Sequence, residues 1–301
     1  MSKNTNIKWT ESTWNPVTGC SKISAGCKNC YALRDWPKLA KKENSVYFGR
    51  KFSDVAFHFD RLDQPIRWKK PRKIFVNSMS DLFHENLSYD TIDQIFMSMI
   101  VAHWHTYQVL TKRPDIMVDY LHKRLPVIQE KMNNLKKYFT EEQFKMHPEL
   151  KSFEANSVQI PFQHIWLGTS VENQKSAKIR LPLLKEIKQY SQVAWVSAEP
   201  LVEAYSLKDY ASDIDWFVLG GESGPKARIM KEEWVLNFVE ECQKYHIPFL
   251  FKQWGEYAPI NGIMTHVGVD AAGDLIHNVN YAQYPLFEEK NIVHSHKQLS
   301  I

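Results

Sequence analysis

The chain has 301 residues, a net charge of +4, and a composition that is 44% apolar and 24% charged. That is the make-up of an ordinary folded protein, and the length fits one α/β barrel or two smaller domains. No apolar run is long enough to span a bilayer, and the opening MSKNTNIKWTES lacks the apolar stretch of a signal peptide. The expectation is therefore a cytoplasmic protein with no membrane association, in a reducing setting that disfavours disulfides.

Seven β-rich runs occur in order: TWNPVTG (13–19), KIFVNSMSD (73–81), YQVLTKRP (107–114), HIWLGTSVEN (164–173), QVAWVSAEPL (192–201), DWFVLGGESG (215–224) and IPFLFKQWG (247–255). Continuous apolar strands separated by helical stretches indicate parallel strands covered on both faces. Between the first two runs lies the basic loop RWKKPRK (67–73), for which a solvated loop is favoured over a phosphate contact. After the second run, Ile92, Ile95, Phe96, Met99 and Ile100 share one helix face behind a cap at Ser88 or Asp90. After the third, residues of about 115–160 form a helical insertion longer than an ordinary crossover, suited to a cap or partner surface. Before the seventh, Trp234, Phe238 and Cys242 recur every four residues, which puts Cys242 on a buried helical stripe. Past Gly255 the rhythm ends, and THVGVDAAGDLIHN (265–278) is predicted to be a hairpin turning at Ala-Ala-Gly-Asp, followed by a tail ending HSHKQLSI. The fold expected is α/β, a partial or complete (β/α) barrel of parallel strands over residues 1–257, with a C-terminal extension over 258–301.

Each run turns polar or glycine-rich at its C-terminal end, the edge where parallel sheets bind ligands. Lys112, Arg113, Glu172, Glu199, Glu222 and Lys252 all follow directly on buried strands and are expected to share one cavity.

The first strand runs straight into Cys20, Cys27 and Cys30, three of the four cysteines in the chain, spaced C-x6-C-x2-C and flanked by Gly19 and Gly26. Four readings fit: structural zinc with a histidine as fourth ligand, a Cys27–Cys30 redox pair, chance clustering, or a [4Fe–4S] cluster with one iron open. Zinc lacks a second CxxC or HxxxH knuckle, the redox pair leaves Cys20 without a role, and the glycines suit a loop folded tightly round a cluster. The His103-Trp104-His105 pair sits before a strand rather than after one, which places it away from the expected site.

The ordered set WNPVTGCSKISAGCKNCYA, TKRP, LGTSVEN, SAEPL, GGESG and FKQWG, covering about residues 8–257, resembles a phage and prophage family of unknown function with a three-cysteine motif. That family in turn resembles a divergent branch of the radical S-adenosylmethionine superfamily. The Cys27-Lys28-Asn29-Cys30-Tyr31 end matches the superfamily pattern, and the first gap is three residues longer.

The resemblance implies a radical SAM-like TIM barrel in which Cys20, Cys27 and Cys30 hold a [4Fe–4S] cluster and S-adenosyl-L-methionine chelates the fourth iron. Reductive cleavage would then release a 5′-deoxyadenosyl radical that acts on a substrate. On that reading Tyr31 packs near the adenine, and Ser78, Ser80 and Asp81 approach the methionyl amine. Lys112 and Arg113 meet a carboxylate or phosphate, and Thr169, Ser170, Glu172 and Asn173 meet the ribose hydroxyls. Glu199 and Glu222 meet an amine or cationic group, and Gly220 and Gly221 allow close backbone approach. Lys252, Gln253 and Trp254 lie beside the first strand if the barrel closes. Lys112, Glu199, Glu222 and Lys252 are the candidates for catalysis. A flavodoxin- or ferredoxin-like electron donor is expected, with nucleic acid or a nucleotide as favoured substrate and a partner protein as another option. Two other classes remain: a non-catalytic metal- or nucleic-acid-binding barrel, and a metal-dependent hydrolase or nuclease using Asp81, Glu199 and Glu222.

Overall fold

The computed structural model describes residues 5–152 and 159–286. Strand β1 (Ser12–Trp14) opens the sheet, and β2 (Val17–Thr18) leaves it to pair antiparallel with β3 (Ala56–Phe57). Between them lies α1 (Tyr31–Leu39), and after β3 comes α2 (Gln64–Arg67). The main sheet continues through β4 (Lys73–Val76), β5 (Thr106–Thr111), β6 (Ile165–Ser170), β7 (Ala194–Ala198), β8 (Trp216–Gly220) and β9 (Phe249–Gln253). Its order is β1-β4-β5-β6-β7-β8-β9 and every pairing is parallel, so all seven predicted runs supply its strands.

The strands lie side by side in chain order, so each crossover winds the same way and the sheet curls into a half-barrel with helices on its convex side. These are α3 (Tyr89–Val101), α4 (Pro114–Met132), α5 (Glu141–Met146), α6 (Glu149–Ser152), α7 (Gln174–Arg180), α8 (Leu184–Ile187) and α9 (Glu232–Lys244). Ser88 caps α3 through Thr91 N at 3.2 Å, and its Ile92, Ile95, Phe96, Met99 and Ile100 are buried as their spacing predicts. Cys242 is buried in the same core, and burial pushes its thiol up. Within 115–160, α4 serves as the ordinary crossover helix, with Tyr120 packed on Phe96 at 5.1 Å, and Phe139, Phe144 and Leu150 beyond it join the same core.

Strand alternation gives the sheet two different faces. Ile74, Val76, Ile165, Leu167, Ala194, Val196, Phe217 and Leu219 face the helices. Phe75, Trp166, Trp195, Trp216, Val218 and Leu250 fill the concave side together with Trp9 from the N-terminal segment. Trp195 and Trp216 are thus core residues, as expected. The rings meet edge to face or tilted, with Trp9 at 5.3 Å from Trp195 and Trp195 at 5.2 Å from Trp216, an aromatic plug in the lower half of the barrel.

The half-barrel does not close. The outer edge of β9 is taken by the segment 281–283, with Phe251 N donating to Tyr281 O at 2.8 Å and Gln283 N to Phe249 O at 3.1 Å. Lys252, Gln253 and Trp254 therefore do not lie against β1. A second correction concerns the C-terminal region. Its four-residue hairpin is β10 (Tyr257–Ile260) with β11 (Ile263–His266), turning at Asn261-Gly262, where both residues have positive φ. Ala271 and Ala272 belong instead to the short α10 (Val269–Ala272), and the two-residue strands β12 (Leu275–Ile276) and β13 (Val279–Asn280) turn at His277-Asn278. The sequence HSHKQLSI lies outside the described residues. Among those described, no helix is long and apolar enough to cross a membrane.

Candidate functional site

Above the aromatic plug, at the C-terminal ends of the strands, lies a cavity of about 590 Å³. Its walls include Cys20, Cys27, Cys30 and Tyr31, the β4 exit residues Ser78, Ser80 and Asp81, and Lys112, Arg113 and Ser170 from β5 and β6. Glu199, Gly221, Glu222, Lys252 and Gln253 complete them from β7, β8 and β9. The convergence expected from the polar strand ends is thus present. Lys112, Ser170 and Lys252 reach it because they continue the inward-facing register of Leu110, Gly168 and Leu250.

The cysteine loop starts at Gly19, whose φ of +95° and close approach to the Asp54 carbonyl leave no room for a side chain. Gly19 N donates to Met79 O at 3.1 Å and Cys20 N to Phe52 O at 2.8 Å. A 3₁₀ turn over Ala25–Cys27 follows, and Cys30 is the N-cap residue of α1, at the positive end of its dipole.

A residue next to each cysteine is held by a buried, charge-paired residue from a strand end. Beside Cys20, the Ser21 hydroxyl accepts from Arg113 Nη2 at 2.8 Å, and Arg113 Nη1 lies 4.0 Å from the Cys20 sulfur. Beside Cys27, Gly26 N donates to Glu172 Oε1 at 3.3 Å, and Glu172 is paired with Arg180 at 2.8 Å. Beside Cys30, Asn29 Nδ2 donates to Glu222 Oε2 at 2.9 Å, and Glu222 is paired with Arg228 at 2.6 Å. Burial opposes ionisation of Glu172 and Glu222, but the neighbouring cations and hydrogen bonds prevail and hold both below the usual carboxylate range. Arg113, Glu172 and Glu222 therefore position the loop.

Asp81 accepts from Phe83 N and Thr111 Oγ1 on one oxygen and from Lys112 N and Arg113 Nη1 on the other, at 2.6–3.1 Å. Those four bonds fill its lone-pair sites, leaving it no capacity for a further cation. Arg113 also bonds Glu85 at 2.6 Å, which, against the effect of burial, draws that carboxyl down to about 2. Glu199 is paired with Lys252 at 3.0 Å and accepts from Trp9 Nε1 and Ser197 Oγ, each at 3.2 Å. With Asp81, Glu199 and Glu222 each matched to a separate basic residue, the three carboxylates form no common centre. Lys112 Nζ donates to a hydroxyl, Ser170 Oγ at 2.8 Å, and the Tyr31 hydroxyl donates to the Ser78 carbonyl.

Five of the expected site residues, Thr169, Glu172, Asn173, Gly220 and Trp254, do not line the cavity. Thr169 faces outward and bonds Thr111 O at 3.1 Å, Glu172 sits behind the cysteine loop, and Asn173 caps α7. Trp254 is buried in the outer core and donates to Leu275 O at 2.8 Å. Gly220 and Gly221 do allow close approach, but to this chain's own atoms: a Cβ on Gly220 would press on Glu199, and one on Gly221 would collide with the Trp254 carbonyl.

Asn77 is a residue the sequence reading passed over. It is 2% exposed, lines the cavity and accepts from Val17 N at 3.2 Å, while its Nδ2 has no acceptor among the described residues. Its position between a strand and SMSD was the available signal, but Asn is also the commonest non-glycine residue for the left-handed φ of 63° found there. Asn29, Arg228 and Trp9 were also passed over, because their partners are more than one element away or lie in the N-terminal segment.

The donor set suits a cluster. Three free thiols face one cavity, and among the described residues no three His, Cys, Asp or Glu side chains converge as a mononuclear ion requires. A [4Fe–4S] cluster binds each thiolate through a different iron, so it needs thiols around a volume rather than around a point. Burial, then Asp81, pushes the Cys20 thiol up to about 12, a bias toward the neutral form that binding to iron reverses.

Residues 4–285 match the profile described as "Protein of unknown function (DUF5131)". No curated protein matches. Among solved structures, a cysteine-to-serine mutant of spore photoproduct lyase aligns over 78% of this chain and 73% of its own, at 8% identity and a TM-score of 0.43. The same enzyme complexed with dinucleoside spore photoproduct aligns over 76% of this chain and 59% of its own, at 9% identity and a TM-score of 0.35. Similarity this slight carries no argument about chemistry.

Proposed function

The chain belongs to the DUF5131 family, whose function is unknown, and on that premise we propose that the cavity is a radical S-adenosylmethionine-type iron–sulfur site. The observation that carries the reading is that three free thiols from one loop share a cavity with a cation, an unsatisfied buried donor and a carboxylate–lysine pair. Cys20, Cys27 and Cys30 would ligate the cluster. When bound, the cluster and S-adenosyl-L-methionine together supply a one-electron cleavage of the sulfonium and hence a carbon radical.

The remaining work falls to the protein. Arg113, Glu172 and Glu222 hold the ligand loop in shape through Ser21, Gly26 and Asn29. Lys112, whose ammonium donates to a hydroxyl and lies within electrostatic reach of Glu172, offers a positive charge to a carboxylate or phosphate, and Asn77 Nδ2 offers a buried donor to an acceptor. Glu199, held by Lys252 and Trp9, presents a carboxylate to an amine or to ribose hydroxyls. The aromatic plug below excludes water from the base of the site.

The test is anaerobic reconstitution with iron and sulfide, followed by dithionite and S-adenosylmethionine. About four irons per chain and release of 5′-deoxyadenosine are expected. Stoichiometric zinc without iron uptake would overturn the reading. Replacing Cys20, Cys27 or Cys30 by Ala should abolish iron uptake, whereas Cys242→Ala should cost about 1 kcal/mol of stability and leave iron unchanged.

A further inference from the structure

We propose that the segment bearing the cysteines docks a nucleic acid strand across the mouth of the cavity and presents one nucleotide to it. The inference rests on the cavity being the reaction site and adds the class of substrate. Residues 20–51 hold eight Lys and Arg against Asp35 and Glu43, a net of +6, while the whole chain carries +4, so all other residues together sum to −2. That excess is larger than the net charge of the whole protein, and the segment that carries it forms one wall of the site.

Lys22 and Arg34 from this segment line the cavity itself, beside Phe52, and Lys28, Lys38, Lys41, Lys42 and Lys51 are exposed elsewhere in the segment and at its end. Three of these cations are engaged within the protein: Arg50 on Thr18 Oγ1 at 2.8 Å and on the Val46 and Asp54 carbonyls, Arg34 on the Ser223 carbonyl at 2.8 Å and Asp35 at 3.5 Å, and Lys22 on the Lys28 carbonyl at 3.1 Å. Two aromatic residues also stay open to solvent here, Tyr31 at 43% and Phe48 at 53% exposed. Lysines that track a backbone beside exposed rings make the combination that binds single strands by charge and stacking.

An acidic protein also complements such a patch. Lys22 and Arg34 of the patch line the cavity, however, so a globular partner seated on them would cover the opening that the substrate has to enter. A strand can lie along the rim and still extend one unit inward.

The other basic cluster provides an internal control. RWKKPRK precedes β4, at the end of the sheet opposite the cavity. There Arg67 pairs with Asp63 at 3.0 Å, Arg72 lies over Trp68 at 5.3 Å and Lys73 over Tyr284 at 4.8 Å.

The experiment measures binding of the full chain to a fluorescein-labelled single-stranded DNA oligonucleotide, and to RNA of the same sequence, by anisotropy between about 50 and 200 mM salt. The triple variant Lys38→Glu, Lys41→Glu, Lys42→Glu should weaken binding about tenfold or more and lower the salt slope by about 2, at roughly 0.7 per contact. Lys69→Glu, Lys70→Glu should bind as the parent does. All the substituted positions are exposed, and circular dichroism checks that each variant folds. No binding to either strand, equal loss in both variants, or binding confined to a small acidic electron-transfer protein would each overturn the proposal. Iron content of the same samples separates the two readings. Cluster without strand binding removes this inference alone, and strand binding without cluster removes the radical reading while leaving a nucleic-acid surface.

Discussion

The Asn29 side chain donates to Glu222 at 2.9 Å and to the Lys226 carbonyl at 2.7 Å, linking the gap between Cys27 and Cys30 to the exit of β8. Glu222 in turn accepts from Arg228 N and Arg228 Nε, both at 2.9 Å. The cysteine loop is therefore tied to the far side of the half-barrel as well as by its own turn.

Asn29→Ala should leave the barrel folded and loosen the loop. The loss of one hydrogen bond to a charged partner and one to the Lys226 carbonyl is expected to cost about 2–4 kcal/mol, measured by urea denaturation. Iron retained after gel filtration should fall in the same variant. Full iron retention would show that the loop does not depend on this tie.

Glu172→Gln leaves Arg180 without its counter-charge at a site where the two side chains are 7% or less exposed. Breaking one half of a buried pair is expected to cost about 3–5 kcal/mol. The double variant Glu172→Leu, Arg180→Met should recover much of that stability but not the hold on Gly26. Its thermal midpoint should rise above that of the single variant while iron uptake stays low.

Gly221→Ala should fail to accumulate as soluble protein, because the added methyl meets the Trp254 carbonyl in the backbone of the adjacent strand end. Gly262→Ala, at a hairpin turn where a Cβ meets nothing within 4 Å, pays only the conformational cost of its φ of +78° and should remain soluble. Comparing the soluble yield of the two separates steric collision from loss of glycine flexibility.

Stability should fall in two steps as the solution is acidified. His58 and His164 are both lowered from 6.5 to about 4, first by burial. Below pH 6.5 the unfolded chain takes up their protons while the folded chain does not, so stability declines as pH falls from 6.5 toward 4. Glu85 is lowered from 4.5 to about 2 by Arg113, and Glu172 and Glu222 are lowered as well. Their contribution is complete above pH 4.5 and is lost below it. Thermal midpoints across pH 7 to 3 check both steps, and His58→Gln with His164→Gln should make the first shallower, with His84 and His105, also lowered by burial, supplying the rest.

How far the chain could be read by itself differs from element to element. The runs from Lys73 to Gln253 are mostly apolar where they become strands, with polar residues gathered mainly at their C-terminal ends, and a buried parallel strand is recognisable from that. The turn near the C-terminus was misplaced because Ala-Ala-Gly-Asp and Asn-Gly are both turn-like, and only Asn261-Gly262 has flanking residues that pair in register. Closure of the barrel could not be read at all, since it depends on which segment occupies the β9 edge, and Tyr281–Gln283 does so.

By itself the sequence determined the parallel α/β sheet, the helical stripe that buries Cys242, and the grouping of Cys20, Cys27 and Cys30 with the polar strand ends. Those features are local: periodicity within one element, or charge placed just after an apolar run. Only the tertiary structure decided what the charges do. Glu172 and Glu222 read as ligands for a small molecule because their partners, Arg180 and Arg228, and the loop atoms they hold, Gly26 N and Asn29 Nδ2, come together only when the sheet curls. A buried carboxylate needs a counter-charge, and which one it finds depends on distances that the order of residues along a chain does not contain.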